Sequence, residues 1–243
     1  MQVPSGSIYS EYDLELLRRM AQYGFVRHAD QPFRLRSGIE SCVYVFGRED
    51  LTDHPDLEML VGRKVAEVVF RDRSVTDRQP CLIGLPTAGT AIAQAAAMVS
   101  FWRGAIGEAV PDIEICHRIM RETKKRAHGA SQHQGFWVNG RPDLDRHTYW
   151  GADNVATDGQ TKVDAALRLV EDGYPAYEMP WLIFIDRQQG AVERLRSLGF
   201  NRISVALQLL DITFVFGELG LWPKSAVQAV EEEIRAHQLL KEA

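Results

Sequence analysis

The chain has 243 residues, 45% hydrophobic and 25% charged, a balance that buries a full core without disulfide or metal staples and excludes disorder as a description of the whole. Lys plus Arg number 28 against 33 Asp plus Glu, a formal net charge of -5, so no chain-wide basic field draws nucleic acid or an acidic membrane surface, and neither is expected as a partner. Cys42, Cys81 and Cys116 are odd in number and lack C-x-x-C spacing, which argues against a disulfide framework or zinc knuckle and suits a reducing cytoplasm.

In chain order, residues 1–13 carry no basic region ahead of an apolar stretch, so no export signal is expected. A helix is predicted near 12–22, short extended runs around 33–35 and 43–46, and a helix near 57–71; residues 1–75 thus read as a small N-terminal hood with peripheral helices. From Cys81 onward short apolar runs alternate with segments of helical period: CLIGLP then AGTAIAQAAAMVSFW, IEIC, TYWGADNV then TKVDAALRLVED, WLIFID then AVERLRSLG, RISVALQL then a helical tail to Ala243. Gly84, Pro86, Gly151, Gly159 and Gly199 punctuate the boundaries. This alternation predicts an α/β fold with an open, mostly parallel sheet and helices on both faces. No repeat or linker divides the chain, so residues 1–243 read as one domain. The nearly apolar run 91–102 is interrupted by Gln94 and too short to span a bilayer.

The interval 121–146 breaks the pattern, and loops of that length are usually functional or disordered. Its opening, RIMRETKKR, sets Arg118, Arg121, Lys124, Lys125 and Arg126 against the single acid Glu122, and His128 and Gly129 follow. Cations beside a flexible glycine can close over a polyanion, although a charge run is more often a solvated face. His128 and His133 lack a carboxylate or cysteine neighbour on a helix and are not expected as metal ligands.

Two strand ends carry candidate anion sites. DNVATDGQT puts Asp153, Asn154, Thr157 and Thr161 where a strand meets a helix N-terminus, and in an open parallel sheet ligands bind at that edge. An ordinary turn capped by Thr157 or Asp158 is the competing reading. GLPTAGT also joins a strand to a helix, but Thr90 stands where a P-loop has Lys, and no G-x-G-x-x-G occurs. No G-x-S-x-G elbow or H-E-x-x-H helix offers a hydrolase template.

Taken in order, FRLRSGIES, VYVFGR, GLPTAGT, RETKKRAHG, DNVATDGQT and FIDRQQGA form a set that resembles the orotate phosphoribosyltransferases of the type I phosphoribosyltransferase fold. The resemblance runs from about residue 24 to about residue 219. It implies transfer of ribose 5-phosphate from phosphoribosyl pyrophosphate to orotate, giving orotidine 5'-monophosphate and pyrophosphate, in a homodimer. Magnesium is implied as a cofactor carried on the substrate, with Asp153 as its nearest protein contact. By the same resemblance, Thr157, Asp158, Gly159, Gln160 and Thr161 cradle the 5-phosphate and Asp153 and Asn154 meet the ribose. Thr87, Ala88, Gly89 and Arg121 contact pyrophosphate. Lys124, Lys125, Arg126 and His128 cover it as catalytic loop residues, and Arg36 and Arg187 face orotate. Arg187 has a competing reading as an ion pair with Asp186 or another acid.

The chain departs from the family pattern at Asn154, in place of a second acid, at Asp158, in place of a neutral Thr, at Phe46, in place of Asp, and at Arg126, in place of Lys. Asn154 hydrogen-bonds but cannot act as a base, and an inward-pointing Asp158 would repel phosphate. The alternatives to an active orotate enzyme are therefore a catalytically weak homologue that binds nucleotide or phosphoribosyl pyrophosphate for regulation, and transfer to a different base.

Overall fold

The computed structural model describes residues 1–35, 38–45, 49–72, 78–105, 114–124 and 135–237. The elements run α1 (Glu11–Gln22), β1 (Val26–Arg34), β2 (Glu40–Val45), α2 (Glu49–Thr52), α3 (Pro55–Arg71), β3 (Gln79–Gly84), α4 (Ala88–Ala105) and β4 (Cys116–Ile119). They continue with β5 (His147–Ala156), α5 (Gln160–Glu171), β6 (Pro180–Asp186), α6 (Ala191–Ser197), β7 (Arg202–Gln208), α7 (Leu209–Glu218) and α8 (Lys224–His237). Local chemistry starts the first helix: Ser10 Oγ accepts from Asp13 N–H while Asp13 accepts from Ser10 N–H at 2.8 Å, a reciprocal cap.

The main sheet is parallel throughout, in the order β4-β3-β5-β6-β7. Its central strands β3, β5 and β6 are largely buried on both faces because both are covered. Trp150, Leu182 and Phe184 face a core shared with Leu17, Val65 and Phe216, while Ile83, Tyr149, Trp181 and Ile183 face Ala165, Leu169 and Leu195 of α5 and α6. The N-terminal residues join the first of these cores through Leu14, Phe25, Val43 and Leu57. Close contact of α3 with α4 depends on Gly62, where a Cβ would lie 2.6 Å from the Ala95 carbonyl.

From β3 the chain moves outward to β4 and then returns to place β5 on β3's other side. The order reverses between β3 and β5, which is where open α/β sheets open a crevice at the strands' carboxyl ends. Gly84 is register partner to Ala152, so the turn that leaves β3 lies beside β5 next to Asp153, while β5 itself runs on to Ala156 before turning into α5.

Three sequence expectations need correction. The edge strand is Cys116–Ile119 rather than IEIC, because an edge strand tolerates His117 and Arg118 while Ile115 is buried just before it. The hood strand β1 starts at Val26, with a register irregularity between His28 and Phe33 that its polar sequence did not signal. The helical tail is two helices, broken where Gly220 takes φ +67 and Pro223 follows. Cys81 and Cys116, distant in sequence, are register partners and remain free thiols.

Candidate functional site at the strand-order reversal

The turn after β3 is drawn tightly against β5. A Cβ on Gly89 would sit 2.4 Å from the Ala152 carbonyl oxygen, and one on Gly84 would sit 2.5 Å from Gly89's own, so both positions exclude any side chain. A cis peptide joins Pro86 and Thr87 within this turn. Thr87 is exposed, and with Ala88 and Arg121 it lines a concavity of about 710 Å³. Arg121 brings a buried Nη1 that has no hydrogen-bond partner among the described residues, an open donor beside a turn of the kind that holds anions.

On the other side of the reversal, β5 carries Asp153 near its carboxyl end, with a side chain that is 8% exposed. Lys162 Nζ lies 2.5 Å from Asp153 Oδ2 and also donates to the Val155 carbonyl, while Asn154 N–H donates to Asp153 Oδ1 at 2.9 Å. Lys162 sits on the inner face of α5, in one stripe with Ala165, Ala166 and Leu169. It fixes the aspartate from within the fold. The sequence reading missed Lys162, although a lysine inside an apolar stripe was the signal that marks it.

The turn into α5 is as tight: Gly159 takes φ +79, where a Cβ would lie 3.0 Å from Leu195. Asp158 is a half-exposed cap whose Oδ1 accepts from Gln160 N–H at 3.1 Å, and its Oδ2 is 3.6 Å from Arg194 Nη1. Its carboxylate is therefore turned to Arg194, whose charge offsets it. Thr157 is half-buried and Thr161 exposed, so the hydroxyls flanking the turn reach the solvent side of the helix start.

Thr157 to Lys162 and Arg187 line a cleft of about 460 Å³ with Phe33, Arg34 and Tyr44 of the hood. Phe33 and Tyr44 rings are 5.2 Å apart, an aromatic wall that the sequence reading did not single out. Arg187 differs most from expectation. Its guanidinium is 2% exposed and engaged by the protein itself: Nη1 donates to Val43 O at 2.9 Å, Nη2 to Ser41 Oγ at 2.7 Å and to Glu233 Oε1 at 3.1 Å, and Nε to Gln189 Oε1 at 3.3 Å. Burial pushes its pKa down and Glu233 opposes the shift. The acid of this pair is Glu233 of α8, not Asp186.

The basic loop is pinned at its base. Met120 bridges Val138, Arg121 N–H donates to Trp137 O at 2.8 Å, and Ile119 N–H donates to Asn139 Oδ1 at 2.8 Å. Lys124 is not brought to the other site residues, because Glu171 at the far end of α5 holds it at 2.5 Å and the Trp137 ring lies beneath it at 5.4 Å. Twelve helical residues put that end about 18 Å from the α5 start. Lys125, Arg126, His128, Arg36 and Phe46 lie outside the described residues.

Asp186, beside Arg187, is a buried acid. Burial raises its carboxyl from 3.8 to about 6, against the Gln188 N–H that donates to it at 3.0 Å. A carboxyl with a raised folded-state pKa favours folding most below pH 3.8 and loses that contribution as pH rises through about 6. Asp186→Asn, which does not ionise, is expected to exceed the parent by about 3 kcal/mol at neutral pH and to show no gain below about pH 4 in denaturant titrations. An equal gain at both pH values would contradict this.

No family model matches the chain. A curated orotate phosphoribosyltransferase from Leptospira biflexa is 26% identical over 180 residues, covering 74% of this chain and 86% of the relative. Among solved structures, Leishmania donovani UMP synthase matches with TM-score 0.69 at 21% identity over 92% of this chain, although the chain spans only 42% of that protein's length. Orotate phosphoribosyltransferase from Francisella tularensis matches with TM-score 0.63 at 14% identity, covering 95% of this chain and 99% of the other. That from Aeropyrum pernix gives 0.54 at 23%, covering 86% and 99%. The chain thus has the type I phosphoribosyltransferase fold, and it is similar to orotate phosphoribosyltransferases in both sequence and structure.

Proposed function

We propose that the chain transfers ribose 5-phosphate from phosphoribosyl pyrophosphate to orotate, releasing pyrophosphate. The observation that carries this reading is the placement of Asp153 on β5 between two tight turns, the one that leaves β3 at Gly84, in register with Ala152, and the one after Ala156 that leads into α5, with Lys162 holding the aspartate. Substitution at an anomeric carbon builds positive charge on the ribose and negative charge on the leaving diphosphate, so the protein must hold two anions in register. In this reading Thr157 to Thr161 cradle the 5-phosphate, Asp153 meets the ribose hydroxyls, and Asn154 adds a hydrogen bond without taking a proton. Thr87, Ala88, Gly89 and Arg121 receive the pyrophosphate. Phe33 and Tyr44 flank the base, and Arg36 and Arg187 serve the orotate end.

Magnesium fits as an ion carried by the diphosphate: among the described residues no cluster of three ligating side chains exists, and Asp153 and Asn154 are the side chains that would meet it. Bound there, it would offset diphosphate charge. A homodimer belongs to the same proposal and rests on the resemblance, and a cytoplasmic setting is proposed from the three free cysteines. Among the described residues no helix is long and apolar enough to cross a membrane.

Lys124, Lys125, Arg126 and His128 are proposed to cover the diphosphate, which requires Lys124 to leave Glu171. Lys124→Ala combined with Lys125→Ala is expected to lower turnover about 10- to 100-fold. The melting temperature should hardly move, because an exposed ion pair adds little stability. Steady-state kinetics beside thermal denaturation test this, and full turnover in the double variant would contradict the loop's role. The second reading, a binder without turnover, is favoured by Asn154, and absence of orotate conversion in the parent protein would select it.

A further inference from the structure

Arg187 lines the cleft, yet its charge is answered from outside it. Glu233 lies near the end of α8, a helix that packs on α7 and on hood strand β2. Its side chain is 9% exposed, and both oxygens are used: Oε1 accepts from Arg187 Nη2 and Gln189 Nε2, each at 3.1 Å, and Oε2 accepts from Ser41 Oγ and Cys42 N–H, each at 3.0 Å. The C-terminal helix thus presents a carboxylate to the very cation that the proposed reaction assigns to the carboxylate of orotate.

We propose that Glu233 is a built-in competitor for the carboxylate subsite: it holds Arg187 in the absence of base, and a base bearing a carboxylate must displace it. The inference rests on the orotate reading of the cleft. Three features make the exchange feasible. Glu233 takes only one guanidinium nitrogen, end-on, whereas an incoming carboxylate can take two side-on, which is the stronger geometry. A buried guanidinium demands an anion, so removing one creates affinity for another. And the released carboxylate has water close by, since Glu232, Arg235, Ala236 and His237 around it are exposed. A ring without a carboxylate gains nothing from the displacement, so Glu233 would also set discrimination between carboxylated and plain pyrimidines.

The test is equilibrium binding of orotate and of uracil, the same ring without the carboxylate, to the parent protein and to Glu233→Gln. Orotate should bind about tenfold tighter to the variant, a size typical of coupling between two competing groups. Uracil and phosphoribosyl pyrophosphate should bind both forms alike. If Glu233 were only a clamp that shapes Arg187, orotate would bind the variant equally or more weakly, which would overturn the proposal.

Hydrogen exchange on the unaltered chain serves should the variant fold poorly: saturating orotate should speed exchange around Glu233, uracil should not, and unchanged or slower exchange with orotate would overturn the proposal. Formation of orotidine 5'-monophosphate by the parent with no gain in Glu233→Gln would remove the competitor alone. Tighter orotate binding in the variant without turnover in the parent would keep the competitor and remove the reaction, and neither binding nor turnover would remove both.

Discussion

Arg187→Ala is expected to lower the free energy of unfolding by about 3 to 5 kcal/mol, the loss seen when one partner of a buried ion pair is deleted. The guanidinium ties three parts of the chain together: the end of β6, the hood at Ser41 and Val43, and α8 at Glu233. Its removal strands a carboxylate that is 9% exposed and leaves the Val43 carbonyl without that donor. Urea denaturation measures the loss. A change below about 1 kcal/mol would mean the pair behaves like a surface one. Arg187→Lys keeps the charge and loses the fork, so it separates the two roles of the residue: it should fold and should raise the orotate requirement while leaving that for phosphoribosyl pyrophosphate unchanged.

Lys162→Met is expected to cost about 3 to 5 kcal/mol for the same reason, because it leaves Asp153 buried without its counter-charge. Methionine fills nearly the same space, so the loss reports charge rather than volume. Adding Asp153→Asn to Lys162→Met should recover part of it, and the double-mutant cycle gives the coupling directly. A single variant that unfolds within about 1 kcal/mol of the parent would show that the aspartate is not held by this lysine. Binding of phosphoribosyl pyrophosphate should fail in the single variant even where it folds, since the ribose contact loses its anchor.

How much of this was legible in the sequence depends on whether the signal is local. Strands β3 and β6 stand out as apolar runs because both faces are covered, and the glycines at 84, 89 and 159 mark turns that exclude a Cβ. Asp153 and the Thr157 to Thr161 turn follow from those boundaries. The edge strand was misplaced because one neighbour and half-exposed His117 and Arg118 weaken the apolar pattern, and β1 escaped notice because VRHADQPFR is polar on a half-covered hairpin. Lys162 was legible in principle as the polar member of the stripe with Ala165, Ala166 and Leu169. Glu233 was not: its meaning comes from a contact 46 residues away in sequence, and within α8 it is one acid of the run EEE. The parking of Lys124 on Glu171 is equally non-local.

The most direct measurement of the central claim follows orotate absorbance and pyrophosphate release together, with phosphoribosyl pyrophosphate and magnesium present and with uracil and adenine as comparison bases. The predicted result is equimolar formation of orotidine 5'-monophosphate and pyrophosphate from orotate, with little from the other two bases. Pyrophosphate release with adenine or uracil but not orotate, or stabilisation by phosphoribosyl pyrophosphate with no turnover of any base, would contradict it.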